Sequence, residues 1–286
     1  MKLQKSLPIW LGAILGSCFA LLLNAQGQTE DKTGQFTEEF HHVYPLSATG
    51  RLELNNINGA VRIAAWDRNE VKLDAVKYAK VKERLDEAKI VVDAEADSIV
   101  IRTEYPQHGR NFSNERDDPA SVEYTLTVPR TARLDEIRLI NGPLDIQGVT
   151  GEVHASCING KLSARGLAGQ VRLSTINGKL EAGFERLGDP TIQLSSVNGS
   201  VELNIPSDSK ADLEASSLQG SIDDDFGLQV HRHFVGRNLR GELGGGGTRI
   251  KLSNVNGRIE VRHNSDGKAL SRATDSDHAN RNRDDI

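Results

Sequence analysis

Apolar and polar residues alternate in short runs over most of the chain beyond residue 35. In Leu162-Ser163-Ala164 and Val171-Arg172-Leu173 every second residue is apolar, which is typical of a β-strand with one buried face. Similar apolar runs occur in the first half, at residues 52–54, 61–63, 71–73, 90–92, 99–101 and 122–126. Residues 78–89 break the alternation, and their apolar positions follow a helical spacing. The pattern predicts an all-β fold with one short helix in the N-terminal part.

The dipeptide Asn-Gly recurs after an aliphatic residue and defines an internal repeat. Its copies are Asn58-Gly59, Asn141-Gly142, Asn159-Gly160, Asn177-Gly178, Asn198-Gly199 and Asn256-Gly257, with Leu218-Gln219-Gly220 as a variant. From Asn141 onwards the copies, with the variant included, are 18, 18, 21, 21 and 37 residues apart, and Val235-Gly236 falls near the copy that the last spacing predicts. A second glycine bend lies half a period away, so each repeat predicts two short strands and two bends.

Two architectures agree with strands joined by Asn-Gly bends. One is a β-solenoid of 18–21-residue coils, in which equivalent residues stack in columns about 4.8 Å apart. The other is an antiparallel β-meander or sandwich, since Asn-Gly favours type I′ hairpins. The copies repeat in identity and not only in polarity: Ser156, Ser174, Ser195 and Ser253 occupy one position. Stacking explains this identity, so we favour the solenoid.

The alignment of the repeats also assigns individual positions. Ile176 precedes the bend, as an aliphatic residue does in every copy, and we expect it to lie inside the coil. Cys157 occupies the position of Thr175, Ser196, Ser217 and Asn254. It is therefore interpreted as an ordinary repeat position and not as a nucleophile.

The first 25 residues have the pattern of a secretory signal. Lys2 and Lys5 precede the apolar stretch Leu7–Leu23, and Ala25 marks the expected cleavage point. An uncleaved anchor and lipidation at Cys18 are the alternatives. We expect a flexible leader over 26–35, a strand-rich region of degenerate coils and a cap over 36–130, a long loop over 107–119, the Asn-Gly repeat over 131–263 and a disordered tail over 264–286.

Composition narrows the function classes. The chain has 35 Lys+Arg against 40 Asp+Glu, a net charge of −5, which argues against a nucleic-acid binder. Aromatic residues make up 5%, so stacking platforms for sugars or bases are not expected. After cleavage Cys157 is the single cysteine, so no internal disulfide is predicted.

Stacked coils would align acidic residues in one outward column, consisting of Asp145, Glu181, Glu202, Asp223 and Glu260. Paired carboxylates suit glycoside hydrolysis, but a solvated face neutralised by Lys161, Lys179 and Arg258 is the favoured interpretation. The turn 223–225 as a Ca²⁺ site, and His41-His42 or His231/His233 as metal ligands, are less favoured than surface positions. No catalytic, cofactor-binding or metal site is predicted, and Gly244–Gly247 is interpreted as a tight chain crossing before the last strand pair.

The chain resembles the bacterial putative-adhesin family of β-strand-repeat proteins over about residues 36–263. The resemblance is carried by Leu52-Glu53-Leu54 with Ile57-Asn58-Gly59, by Trp66-Asp67, by the Asn-Gly repeats and by the glycine-rich stretch 241–250. It implies an exported, all-β, solenoid-like protein, and it carries no catalytic residue with it.

These observations lead to three functional hypotheses. The first is an exported, non-enzymatic binding scaffold of the cell surface or envelope, whose partner would be an envelope polysaccharide or a surface protein. The second is an enzyme that acts on polysaccharide through the acidic column. The third is a structural protein that self-associates through an exposed end of the stack. No cofactor is expected, and contact with the membrane is expected only through an uncleaved signal segment.

Overall fold

The computed structural model describes residues 26–30, 35–106, 119–188, 191–232 and 235–275. The predicted signal segment and most of the predicted loop 107–119 lie outside these residues. The first half contains β1 (Gln26–Glu30), β2 (Phe36–Pro45), β3 (Arg51–Asn58), β4 (Val61–Trp66), β5 (Glu70–Ala79), α1 (Lys82–Glu87), β6 (Lys89–Ala94), β7 (Ser98–Glu104), β8 (Ser121–Pro129) and β9 (Arg133–Asn141). The all-β prediction and the short helix are confirmed.

Within the described ranges, the regular elements of the second half of the chain are all β-strands. These are β10 (Leu144–Gln147), β11 (Val153–Asn159), β12 (Leu162–Leu167), β13 (Val171–Asn177), β14 (Leu180–Phe184), β15 (Ile192–Asn198), β16 (Val201–Ile205), β17 (Ala211–Gln219), β18 (Ile222–Asp224), β19 (Val230–Arg232), β20 (Arg237–Leu243), β21 (Thr248–Asn256), β22 (Ile259–His263) and β23 (Ala273–Asp275).

The strands form two large mixed sheets. Sheet A has the order β1-β2-β5-β8-β4-β10-β12-β14-β16-β22-β18, and sheet B has the order β19-β20-β17-β21-β15-β13-β11-β9-β3-β7-β6, with β23 paired to β20. Each Asn-Gly repeat contributes its first strand to sheet B and its second strand to sheet A. The Asn-Gly bend is therefore a corner between sheets and not a hairpin turn.

Neighbouring repeats pair in parallel and in register. Asn159 is the Cα partner of Asn141 and of Asn177, and Leu180 on sheet A is the partner of Leu162 and of Val201. Such pairing differs from the antiparallel pairing of a meander. The glycine of the bend is required by this close stacking, because Gly178 has φ 148° and a Cβ there would collide with the carbonyl oxygen of Gly160.

The last two repeats stack in reverse order along the chain. The β21/β22 repeat lies between β15/β16 and β17/β18. The chain reaches it from β20, which pairs antiparallel with the other edge of β17. The segment Gly244–Gly247 crosses the start of β17. A Cβ on Gly247 would lie 2.6 Å from the carbonyl oxygen of Lys210, which is too close for a side chain. The predicted chain crossing is present, but the described residues on either side of Val235-Gly236 form β19 and β20 and not the further repeat that the spacing predicts.

The core lies between the two sheets, and one prediction about it is wrong. Leu173 and Thr175 of β13 are buried, whereas Ile176 is 44% exposed. Strict alternation decides this, because a strand that buries residues 171, 173 and 175 turns residue 176 to solvent. The prediction that Ile176 lies inside the coil is therefore corrected, and the inward position belongs to Thr175.

The two ends differ from the sequence predictions as well. Part of the predicted flexible leader forms β1, which pairs with β2. Part of the predicted disordered tail forms β23, and Asn264 donates to the carbonyl oxygen of Phe184 through its Nδ2 at 2.9 Å. Both segments are held because each satisfies hydrogen-bonding groups at an otherwise open strand edge.

Candidate functional site

The most regular surface of the molecule is a row of exposed aliphatic side chains at the Asn-Gly corner of sheet B. We call it the aliphatic column, and its members are 38–49% exposed; in spatial order they are Ile140, Ile158, Ile176, Val197, Val255 and Leu218. With strands about 4.8 Å apart, the six residues extend over about 24 Å. Contiguous exposed apolar surface of this kind marks interaction sites more often than scattered apolar residues do.

A continuous ladder of asparagine amides runs beside the aliphatic column. Each Nδ2 donates to the Oδ1 of the preceding rung at 2.8–3.0 Å, from Asn141 to Asn58 at one end to Asn256 to Asn198 at the other. On the other side of the column lie the serines of the repeat, of which Ser156, Ser174 and Ser195 are Cα partners. From Ile158 to Leu218 the aliphatic column is thus flanked by uncharged polar side chains on both sides, and beside Ile140 the serine position is occupied by Arg138.

The predicted acidic residues are brought into neighbouring strands of sheet A. Glu181 is the Cα partner of Glu202, Glu202 of Glu260, and Glu260 of Asp223, while Asp145 is separated from Glu181 by Ser163. Lysine and arginine side chains form ion pairs with these carboxylates. Lys179 contacts Glu181 at 2.6 Å and Glu202 at 2.7 Å.

Glu181, Glu260 and Asp223 have further cationic partners, whereas Asp145 accepts a hydrogen bond from Nε2 of Gln147 at 3.1 Å. Lys161 and Arg165 both contact Glu181, at 2.9 and 2.8 Å. Arg258 contacts Glu260 at 3.1 Å and Asp223 at 3.6 Å. From Glu181 to Asp223 the column is therefore an ion-pair network and not an unbalanced acidic stripe.

The protonation of these carboxyl groups follows from their partners. Partial burial acts to raise the pKa of Glu181, but hydrogen bonds from Lys179 and Lys161 outweigh it and lower the pKa to about 2. A hydrogen bond from Lys179 also lowers the pKa of Glu202. A general acid in glycoside hydrolysis needs a raised pKa so that it holds its proton near neutral pH. A groove of about 370 Å³ lies over Glu181, Glu202 and Asn204, but these two carboxyl groups are suited to ion pairing and not to proton donation.

A serine, a histidine and an aspartate that sequence reasoning missed meet near the C-terminal end. The Ser207 hydroxyl lies 2.7 Å from Oδ1 of Asp266 and 3.2 Å from Nδ1 of His263. A nucleophilic triad needs the histidine between an accessible serine and the aspartate. Here Ser207 is buried and lies between the other two residues. The cluster therefore ties the segment 263–266 to the turn after β16.

Within the described residues, neither the His41-His42 pair nor the 223–225 turn forms a ligand set for a metal ion. Among the described residues no group of three or more His, Cys, Asp or Glu side chains is placed to hold a metal ion. His41 contacts Asp74 at 2.8 Å, and the half-buried His42 stacks against Tyr44 on the opposite face of β2. In the 223–225 turn, Asp223 contacts Arg258 and Asp225 contacts Arg262. His231 is described, but His233 lies outside the described residues.

Cys157 lies where the repeat alignment placed it. It is buried in the inward column with Thr175, its Cα partner, and its thiol contacts the carbonyl oxygen of Gly142 at 3.4 Å. Burial raises the pKa of this thiol to about 11. A thiol of that kind is protonated at neutral pH, and it is a poor nucleophile.

Comparison with known proteins gives fold-level similarity alone. No family model and no curated protein sequence matches the chain. Among solved structures, the chain is similar to a putative cell adhesion protein from Clostridium sporogenes, with 12% identity, a TM-score of 0.45, and coverage of 79% of this chain and 100% of that one. A putative adhesin from Bacteroides fragilis shows 13% identity and a TM-score of 0.33 over 79% of this chain and 97% of that one.

A third solved structure is a putative lipid binding protein from Parabacteroides distasonis, with 10% identity, a TM-score of 0.25, and coverage of 79% of this chain and 97% of that one. No helix within the described ranges is long and apolar enough to cross a membrane. The solved structures to which the chain is similar are thus bacterial proteins named as putative adhesion or putative lipid binding proteins.

Proposed function

We propose that this chain is an exported, non-enzymatic binding scaffold of the putative-adhesin kind, built as a β-solenoid of stacked Asn-Gly coils. Support for the stacked coils comes from the parallel, in-register pairing of consecutive repeats in both sheets. Export is supported by the signal pattern of residues 1–25. N-terminal sequencing of natively produced protein tests export: we expect a start near Gln26, and an intact Met1 in soluble cytosolic protein would overturn it.

The exposed aliphatic column is the observation that carries the binding role. Its residues could be polar without loss of the fold, because they lie outside the core, yet every one of them is Ile, Val or Leu. Apolar side chains exposed on adjacent strands also cost solubility. A partner that covers the column is the simplest reason for keeping it, and an envelope polysaccharide or a surface protein is the partner that we propose.

A paired-variant experiment tests this assignment. The column variant carries Ile158→Thr, Ile176→Thr and Val197→Thr, which keep β-branched side chains in their strands. The control variant carries Glu181→Gln, Glu202→Gln and Glu260→Gln on the other sheet. Retention of the natively produced protein by washed envelope fractions is measured for both variants. We expect the column variant to lose retention and the control to keep it.

The converse result would move the binding surface to the acidic column, and equal retention of both variants would refute the assignment.

A polysaccharide-active enzyme is the second candidate, favoured by the groove over Glu181 and Glu202. New reducing ends from a glycan panel, lost in the Gln variant, would establish it. Self-association through an end of the stack is the third, and it predicts light scattering that rises with protein concentration.

A further inference from the structure

The two sheets end at different levels on the N-terminal side. Beyond the layer of β7 and β8, sheet B continues with β6 alone, whereas sheet A continues with β5, β2 and β1. The inner face of β2 therefore projects past the edge of sheet B. A cavity of about 590 Å³ opens beneath it, between β2, β6 and the end of α1. This volume falls within the range of about 300–1,000 Å³ that is usual for small-molecule sites.

The walls of this cavity are largely apolar. Phe40 of β2 and Ile90 and Val92 of β6 line it, and all three are half-buried side chains that pack against the core. Phe40 shares the inner face of β2 with Tyr44, which lines the cavity as well. The cavity thus connects the hydrophobic interior of the fold with solvent. An apolar chain bound in it would make the apolar contacts that a further strand of sheet B makes elsewhere in the fold.

One ion pair lies in the wall of the cavity. Lys77 of β5 contacts Oε1 of Glu38 at 2.8 Å, and each residue is only 8% exposed. Lys77 Nζ also donates to the carbonyl oxygen of Leu85 at 3.5 Å. An ammonium group has three donors, and these two contacts leave one for a ligand. The cavity therefore combines apolar walls with a buried, oriented donor on Lys77, the combination that fixes a small amphiphile in a site.

The charges around the cavity select the head group. Glu38 and Lys77 neutralise each other, and the exposed lining residues Glu95 and Lys89 carry opposite charges. A carboxylate or phosphate head would therefore find no surplus positive charge, and the loss of its hydration would be costly. An uncharged acceptor such as an ester carbonyl or a hydroxyl would accept from Lys77 without that cost.

We propose that this cavity binds a single acyl chain whose head group carries an uncharged oxygen acceptor, as in a monoacylglycerol, with the chain against Phe40, Ile90 and Val92 and the acceptor on Nζ of Lys77. This site lies at one end of the molecule and does not involve the aliphatic column. The proposal therefore stands or falls independently of the proposed binding scaffold.

Isothermal titration calorimetry of the natively produced protein with 1-monolauroylglycerol, below its micelle concentration, tests the proposal. We expect saturable binding of one molecule per chain. Val92→Trp fills the cavity and is expected to abolish binding. Val230→Trp is the matched control, because Val230 is also half-buried on an edge strand of sheet B, at the opposite end of the stack. Unchanged binding by Val92→Trp, or no binding by the wild type, would overturn the proposal.

Two further arms test the head-group assignment. Dodecanoate at pH 8 has a comparable acyl chain with a charged head, and we expect it to bind at least about tenfold more weakly. A variant with Glu38→Met and Lys77→Met exchanges the buried ion pair for apolar side chains of similar length, which folded proteins commonly tolerate. We expect about a fivefold loss of affinity for 1-monolauroylglycerol, as for one lost hydrogen bond. Equal or tighter binding of dodecanoate, or an unchanged affinity of the double variant, would refute the head-group assignment.

Discussion

Leu173 and Ile176 lie three residues apart in β13 and are expected to respond very differently to the same substitution. Leu173 is fully buried between its Cα partners Ala155 and Leu194, whereas Ile176 is 44% exposed in the aliphatic column. Truncation to Ala removes three carbons at either position. The comparison therefore isolates burial from the chemistry of the change.

The expected magnitudes follow from the buried carbon. Three methylene equivalents at about 0.8 kcal/mol each give about 2.4 kcal/mol for Leu173→Ala. The cavity that remains between two hydrogen-bonded strands adds to this, so the expected loss is about 3 kcal/mol, within the usual range for such substitutions. For Ile176→Ala roughly half of the side chain is already in water, so the expected loss is about 1 kcal/mol.

Equilibrium unfolding in urea, followed by far-ultraviolet circular dichroism, measures both changes. Equal slopes against urea concentration for the two variants and the wild type would show that the same surface is exposed on unfolding. Equal losses of the free energy of unfolding, or a larger loss for Ile176→Ala, would refute the outward placement of the aliphatic column.

Two other perturbations have definite expected outcomes. Cys157→Ser should change the free energy of unfolding by less than about 1 kcal/mol, since Thr175 and Ser196 fill the same inward column, and the wild-type thiol should react with a thiol reagent only on unfolding. Glu181 has a folded-state pKa of about 2, below the unfolded value, so the stability that it contributes is present above about pH 4.5 and is lost as the pH falls towards 2. Glu181→Gln should therefore lower the melting temperature at pH 7, and the difference in melting temperature from wild type should narrow below pH 4. A difference in melting temperature that does not change with pH would contradict the ion-pair network.

The register of the repeats could be predicted because their side chains repeat in identity. The alignment of Leu173-Ser174 with Leu194-Ser195 and Leu252-Ser253 matches the Cα pairing of β13, β15 and β21. The prediction that Ile176 is buried is wrong because an aliphatic residue that recurs in each copy is not by itself a sign of the core. Counting the alternation from Leu173 would have placed it outside.

Other features depend on contacts that local sequence does not specify. The repeats at Gln219 and Asn256 are nearly equivalent, and either could stack on Asn198. The antiparallel pairing of β20 with β17 decides which one does. The cavity likewise depends on the pairing of Glu38 with Lys77, two residues 39 positions apart. Such long-range pairings follow from the global packing of the sheets and not from periodicity.

A pair of internal deletions tests the stacked-coil account most directly. Removal of residues 159–176 takes out one full repeat, joins Ile158 to Asn177, and leaves the aliphatic column, the asparagine ladder and the inward columns in register. Removal of residues 159–167 takes out half as many residues but deletes β12 from sheet A while β13 remains in sheet B. The two sheets then no longer match, and apolar side chains lose their partners.

Circular dichroism and thermal melts of the two deletion variants give the decisive comparison. The account predicts that the 18-residue deletion folds with a strand-rich spectrum and melts cooperatively, at the cost of one repeat and its interface, and that the 9-residue deletion melts at a clearly lower temperature or fails to fold. If the shorter deletion melts as high as the longer one, the stacking of coils in two matched sheets is contradicted.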